Sequence, residues 1–541
     1  MSNNPKVDAV MVEDVESRDD LKGHNNKGGV DLYKNDAIVL IPTPSPDPKD
    51  PLNLPTWHKY LIIMMVGLYS GFAVLGTSGL GAVFPEVVKM YPPQEATRAT
   101  DLLTYPTLFM GIGNLLSMPL SVAIGRRPVF LASLIVLLAS SIWCATATSL
   151  SSHIAGRNIF SIAAGQSEAL APLIVEEIHF LHERSAKLSW FVAVQTVSTA
   201  LMFVATTALV PAWGLKWWYG IIAIVAGALL LLSILFMVET EFDRPSDADN
   251  GLVHVRLDAD GQANNKGEEV LLFQVTTRQN HVLQPDVFGP RTWSNDLKLF
   301  HKRPDWSALL TFYKETFQCC LIPNVFWLLV LNGAFLGLYV YQASTFAPLL
   351  MGAHRFTSVQ LGWVQLVQVA DCALFIPLLG YGSDYLVKAL SKWQSGVFMP
   401  EYRLIPLIFP AACEVVSAVI YGRGAQNPQS WHWMSIVAPY HLGFFAFIGC
   451  NVVSIAYCVD SFPRKAGPLL LVICAGRGFI SFGLSYSTVP AIASLGYERT
   501  MDILAIIAGV LSGLVIPAYL TGRYFRKVFS NKVFKEKSAE H

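Results

Sequence analysis

SHIAGRNIFSIAAGQSEALAPLIVEEIHFLHERSAK, from Ser152 to Lys187, decides how the chain is read. Most of it is apolar and long enough to cross hydrocarbon, since about 20 residues rising 1.5 Å each span roughly 30 Å. It reads as one transmembrane helix running into a charged loop. Yet Arg157 and Glu168 lie inside it, with Glu176 and Glu177 near its far end. Ionisable groups at membrane depth are costly, so they face a bundle interior or a water-filled path. Arg157 and Glu168 stand eleven positions apart. At roughly 100° per residue they return to within about 20° of one another. One face of the helix is charged, and a second helix or a cavity must cover it. Two readings stand: an ion pair that holds helices together, or a role in substrate or ion handling.

Composition agrees with a membrane setting. Of the 541 residues, 53% are hydrophobic and only 14% charged, where soluble domains carry about 25% charged residues. The formal net charge of zero argues against a nucleic-acid partner. The eight cysteines (Cys144, Cys319, Cys320, Cys372, Cys413, Cys450, Cys458 and Cys474) have no metal spacing, and most fall in apolar segments. There Cys behaves as a small hydrophobe, so no disulfide framework, metal or cofactor is expected. The first apolar run begins only near Tyr60. No cleaved leader is therefore expected, and the first span should act as the insertion signal.

Residues 1–58 are polar and mixed in charge, and they are expected to be a disordered cytoplasmic tail ending in an extended proline-rich lead-in. Twelve apolar segments follow, near 60–84, 102–124, 128–149, 153–177, 189–211, 217–238, 322–347, 359–383, 404–421, 432–457, 468–493 and 500–522. The fold class is an all-α membrane protein. Its expected parts are a six-helix half over 59–238, a cytoplasmic central loop over 239–320, a second six-helix half over 321–522 and a basic tail over 523–541. The central loop contains DRPSDADNG and GQANNKGEE and is expected to be largely flexible, with an amphipathic part near Trp306 to Phe317.

Lys and Arg in short loops set orientation. Arg126, Arg127, Arg184, Lys187, Lys388, Lys392, Arg403, Arg464 and Lys465 fall on one side, joined by the C-terminal Arg523, Arg526 and Lys527. The alternate loops hold fewer: Lys89, Arg98, Lys216, Arg355, Arg423 and Arg499. Both termini and the central loop are expected to be cytoplasmic. The halves also echo one another. Span two ends in GRRP and span eight in GYGSD; span four ends in Glu177 before Arg184, and span ten in Asp460 before Arg464.

These pieces, in this order, resemble a fungal transporter of the major facilitator superfamily, in the twelve-span branch of drug:proton antiporters that also holds carriers of polyamines and organic cations. The matching stretches are LIPTPSPDPKDPLNLPTW, GRRP, SEALAPLIVEEIHFLHER, WYGI with VETEFDRP, PNVFW, NGAFLG, GSD with MPEYRL, and YCVDSFPRKAGP. The resemblance covers nearly the whole chain and implies two pseudo-symmetric six-helix halves related by an axis along the membrane normal. It also implies a gate set at the cytoplasmic ends: Gly125, Arg126, Arg127, Arg157, Glu177, Arg184, Gly380, Asp384 and Asp460. The family's loop motif reads Gly-x-x-x-Asp-x-x-Gly-Arg-Arg, whereas here Met118 replaces the first glycine and Val122 the aspartate. The second copy keeps Gly380 and Asp384, so the latch is expected to rest on the second half. Span five also has no glycine, unlike the antiporter motif, and that puts proton-driven export in question.

The remaining intramembrane polar groups suggest a cavity. Arg477, Ser481, Ser485 and Thr488 recur at helical spacing in span eleven, and Gln365, Gln368 and Asp371 cover an arc of about 120° in span eight. The candidate cavity set is Glu168, Asp371, Arg477, Asn332, Gln368, Asn451 and Tyr341. Small polar stripes also glue helices together, Tyr341 also suits an interfacial anchor, and His441 also suits plain packing. Arg477 and Asp371 are expected to line the cavity or to pair with Glu414 or each other. Glu168 is the first choice for a coupling or cation-binding acid and Asp371 the second; Glu176 and Glu177 suit pairing with Arg126, Arg127 or Arg184.

The function expected is alternating-access secondary transport of small organic molecules, proton-coupled and outward, with uptake of polyamines or other organic cations as the alternative. An enzyme is disfavoured, because HExxH, GxSxG, Walker and CxxC patterns are all missing. A nutrient-sensing transceptor would need a longer cytoplasmic tail. The expected partners are a small-molecule substrate, the proton and the lipid bilayer; the expected site is the plasma membrane, or else a vacuolar or vesicular one, with a monomer as the transport unit.

Overall fold

The computed structural model describes residues 30–34, 37–244, 248, 252–257, 269–275, 283, 285–301, 303–394 and 396–529. Span one, Thr56–Ser78, starts directly after Pro55. Span two is Asp101–Ile124, span three Arg126–Thr146, span five Arg184–Trp213 and span six Leu215–Phe236. Span seven is Pro323–His354, span nine Ile408–Gln426 and span ten Met434–Ser461. Span eight runs from Ser358 to Trp393 and loosens into a π turn at Ile376–Tyr381, where Pro377 has no N–H to give. Spans eleven and twelve are continuous over Ala466–Gly513 and Val515–Val528, folded at Gly496, whose φ of 77° suits only a residue without Cβ.

Among the described residues, eleven helices are long and apolar enough to cross a membrane. The fourth span is the exception, and it corrects the reading of Ser152 to Glu177 as one helix. It runs as Leu150–Ala164, a tight turn at Gly165–Ser167, and Leu170–Glu177. Pro172 accounts for the break, because it offers no N–H to the Glu168 carbonyl four residues back. That carbonyl instead accepts a bond from Cys474 Sγ at 2.9 Å. At the turn, span two comes so close that a Cβ on Gly165 would lie 2.4 Å from the Met110 carbonyl oxygen. With this pair in fourth place the order is that of twelve spans.

Two seams join the halves: span two packs on span eleven, and span five on span eight. Small residues let the helices approach. Gly111 lies under Phe479, Gly380 against Ser189 and Gly362 against Thr207.

Ahead of the proline-rich lead-in, the described residues among 30–41 form a strap with short strands, where a disordered tail was expected. Strand β1, Val30–Asp31, pairs antiparallel with a short strand at Val397–Phe398 after span eight. Leu32, Val39 and Ile41 bury themselves with Leu181, Val387, Phe398 and Tyr402. Leu181 N–H also donates to the Ile41 carbonyl at 2.7 Å. This strap therefore touches the span four–five turn and the loop after span eight together. In the central connection, strands Leu252–Leu257 and Glu269–Gln274 form an antiparallel hairpin. The expected amphipathic part is a helix, Ser307–Cys320, which packs across spans two and eleven. Strap, hairpin and this bridging helix gather at one end of the bundle, the connector end. Most of DRPSDADNG and GQANNKGEE, like the tail beyond residue 529, lies outside the described residues.

Candidate transport site and gate

The break in span four sets Glu168 against span eleven. Glu168 Oε2 lies 2.9 Å from Arg477 Nη2 and 3.3 Å from Arg477 Nε. Arg477 Nη1 also donates to Asn451 Oδ1 of span ten, and its guanidinium lies over the Phe447 ring, 5.6 Å from the centroid. Acid and base thus come from opposite halves. The Glu168 side chain keeps 19% of its surface accessible and Arg477 only 4%. A buried ion pair across a seam holds the halves only while both members stay charged.

Phe447 continues into an aromatic cluster of the second half. Tyr339 stacks on Phe447 at 6.1 Å and on Tyr440 at 5.4 Å, and Tyr440 stacks on Phe346 at 4.6 Å. Gln365 and Gln368 each donate to the Tyr440 hydroxyl, at 3.1 and 3.3 Å. Asp371 Oδ2 sits 3.3 Å from His441 Nδ1. One carboxylate therefore borders a set of stacked rings and amides, which is the chemistry that receives an organic ammonium group.

The connector end is closed by Arg403, which is fully buried. It reaches Asp384 Oδ1 at 2.5 Å and Asp460 Oδ2 at 2.9 Å. It also donates to Ser185 Oγ at 2.6 Å and to the Leu181 carbonyl at 2.9 Å. Arg184 adds a bond to Asp460 Oδ1 at 2.8 Å. Asp384 Oδ2 accepts from the Ala186 N–H at the start of span five, at 2.9 Å, where an anion suits the helix dipole. Every one of these bonds except Arg403 to Asp384 and Asp460 crosses between the halves. His179, in the turn after span four, donates from Nδ1 to the Val175 carbonyl at 2.7 Å. Burial lowers its pKa to about 3, with nearby Lys59, Lys187 and Arg184 acting the same way against that hydrogen bond.

The first-half copy makes a different contact set. Arg126 pairs with Glu177 and Glu241, each at 2.9 Å. Glu239 takes the place left by Val122: its carboxylate accepts the N–H groups of Arg126 at 2.9 Å and Arg127 at 3.2 Å. Burial raises the Glu239 pKa, partly offset by the hydrogen bonds from the Glu241 and Arg126 N–H groups and by the Arg126 charge. Gly125 has φ 104°, and a Cβ there would lie 2.4 Å from Glu239 Oε2. Arg127 donates to the carbonyls of Ile234 at 2.8 Å and Lys298 at 2.5 Å. These pairs stay within the first half and the central connection.

Several expectations change accordingly. Arg157 and Glu168 do not share a face, because the helix breaks between them. Arg157 sits away from the gate and donates to the carbonyls of Leu102, Gly76 and Thr77 and to the Tyr219 hydroxyl, at 2.8 to 3.0 Å. Among the described residues, Asp371 and Arg477 pair neither with each other nor with Glu414, whose buried carboxyl oxygens have no hydrogen-bond partner there. Glu176 is likewise buried, both oxygens unpartnered among the described residues rather than paired with the basic groups. Tyr341 lines a separate crevice with Leu484, Ala491 and Thr500. Asn332 is buried, its amide without a hydrogen-bond partner among the described residues. Arg403 was not singled out in the sequence as a gate residue, although MPEYRL after GSD places an arginine in reach of the acid it binds.

Twelve helical spans in two halves, with a charged pair between the halves and a buried charged cluster at one end, are the architecture of a secondary transporter. Residues 66–468 match the Major Facilitator Superfamily profile, and the chain belongs to that family. It is 24% identical to an uncharacterised transporter of that type, C1271.10c, from Schizosaccharomyces pombe, over 92% of this chain and 89% of that one. It is 23% identical to Protein HOL1 from Saccharomyces cerevisiae, over 91% and 90%. It is 20% identical to Efflux pump radE from Floropilus chiversii, over 85% and 80%. In fold it matches the proton:xylose symporter XylE at a TM-score of 0.55 and 12% identity, over 85% of this chain and 95% of that one.

Proposed function

We propose that the chain exports small organic molecules, drugs or secondary metabolites, in exchange for protons, by rocking its two halves about the Glu168–Arg477 pair. The observation that carries this reading is the pair itself: acid and base from opposite halves, with the acid partly accessible. Neutralising Glu168 by a proton removes the attraction across the seam, and leaving it ionised restores it. The name of the radE relative favours the outward direction. In this reading the protein lies in the plasma membrane as a monomer, with both termini and the connector end in the cytoplasm. Asp384, Arg403, Asp460 and Arg184 then form its cytoplasmic gate.

A second reading, uptake of polyamines or other organic cations, is favoured by Asp371 beside the stacked rings of Tyr339 and Tyr440. Labelled spermidine flux, measured in both directions at two external pH values with and without the protein, separates them. Lowered dye accumulation with no spermidine flux supports export; pH-dependent spermidine entry supports uptake; no flux of either leaves a sensor. In Glu168→Gln the pH dependence is expected to vanish, and unchanged pH-driven flux in that variant overturns the role of Glu168.

A further inference from the structure

The bridging helix Ser307–Cys320 has two apolar faces, and the described residues cover only one. Phe312 and Cys319 are buried, Phe312 filling the space beside Gly467. The other face carries Trp306, Leu310, Phe317 and Leu321, exposed at 60, 78, 68 and 58%. Steps of four and seven residues along a helix keep these on one side. Just before them, Trp293, Leu299 and Phe300 are also exposed. The same stretch exposes the basic Lys298, Arg303 and Lys314. A water-facing surface does not carry so many large apolar side chains in one run.

The occupant follows from where the helix lies. It ends at Cys320, and span seven starts at Pro323. Phe326, exposed in the first turn of that span, continues the apolar stripe onto the lipid-facing wall. We propose that the bridging helix docks on the bilayer surface. Its Trp306–Leu310–Phe317 stripe sinks into the boundary of headgroups and acyl chains, and Lys298, Arg303 and Lys314 bind anionic headgroups. This surface lies directly across a seam. Tyr313 donates to the Leu115 carbonyl of span two at 2.7 Å, and Glu315 pairs with Lys465 before span eleven at 2.5 Å. The leaflet thereby holds an element tied to both halves.

The test uses the full-length protein in nanodiscs of brominated phosphatidylcholine, with and without brominated phosphatidylserine. Tryptophan quenching is compared between wild type and Trp306→Phe, and the difference isolates Trp306. That component is expected to be quenched in both lipids, more with phosphatidylserine. The excess due to phosphatidylserine should fall about threefold or more in Lys298→Gln/Arg303→Gln/Lys314→Gln. Leu310, at 78% exposed, loses little in the fold on replacement, and Leu310→Glu should cut the Trp306 component by about half. An unquenched Trp306 in both lipids overturns the proposal. So does a Leu310→Cys variant that cross-links to a second copy in membranes, since the stripe is then covered by protein. Quenching that ignores lipid charge and the triple substitution overturns the headgroup part.

Discussion

Glu168 Oε2 and Arg477 Nη2 face each other at 2.9 Å across the seam between the halves. Removing one member leaves the other charge without its partner, at a cost of about 3–5 kcal/mol. Arg477→Gln should therefore lower the midpoint of thermal unfolding in detergent, and Glu168→Gln/Arg477→Gln should recover most of the loss. A double variant no more stable than Arg477→Gln would show that the pair is not coupled.

Arg403 donates four bonds at the connector end, two of them to the other half. Arg403→Ala should open that end. A cysteine at Leu181, a buried position, should then react with maleimide at least about tenfold faster, equal to a shift of roughly 1.4 kcal/mol in the opening equilibrium. Equal rates in the two backgrounds would mean that the latch holds without Arg403.

Gly125 combines φ 104° with a carboxylate 2.4 Å from the place a Cβ would take. Gly125→Ala is expected to destabilise the protein by about 1–3 kcal/mol. In a Glu239→Ala background the cost should shrink but remain, because the backbone strain persists when the clash is gone. Thermal unfolding of the four proteins measures both parts.

Two of these residues mark how far the sequence could be read. Twelve apolar runs of the right length fix the spans, because hydrocarbon thickness leaves few alternatives. Glu168 and Arg477 stand out singly, since a charge in an apolar run needs a reason. Their pairing does not, because the three-residue turn before Glu168 changes the direction in which it points. Helical arithmetic put Arg157 beside Glu168 on the assumption of an unbroken helix, and Pro172 was the signal against it. Val122 was legible as a loss, but Glu239, which stands in for the missing acid, lies 117 positions further along. The strap was hidden by its own composition. Prolines and charges read as disorder, while its few apolar residues find partners only in the assembled fold.

His179 gives a pH signature. Its pKa in the folded chain is lowered from 6.5 to about 3, so folding favours the neutral ring. The stability this contributes is fully present above pH 6.5 and is lost progressively as pH falls towards 3. The slope is at most about 1.4 kcal/mol per pH unit. His179→Gln should flatten the acid side of the unfolding-midpoint curve relative to the native chain. Superimposable curves would show that the ring does not take up a proton on unfolding.

The interruption of span four divides it into an anchor and an arm. Leu150–Ala164 is moored by Arg157 to the carbonyls of spans one and two and to Tyr219 of span six. The piece from Glu168 to Glu177 joins that mooring only through the tight turn at Gly165–Ser167, where the Glu168 N–H donates to the Gly165 carbonyl at 3.1 Å. A rigid rod would pass any tilt at one membrane face to the other. Here the short arm that carries Glu168 can shift against Arg477 and the turn before span five while the segment moored by Arg157 stays in place.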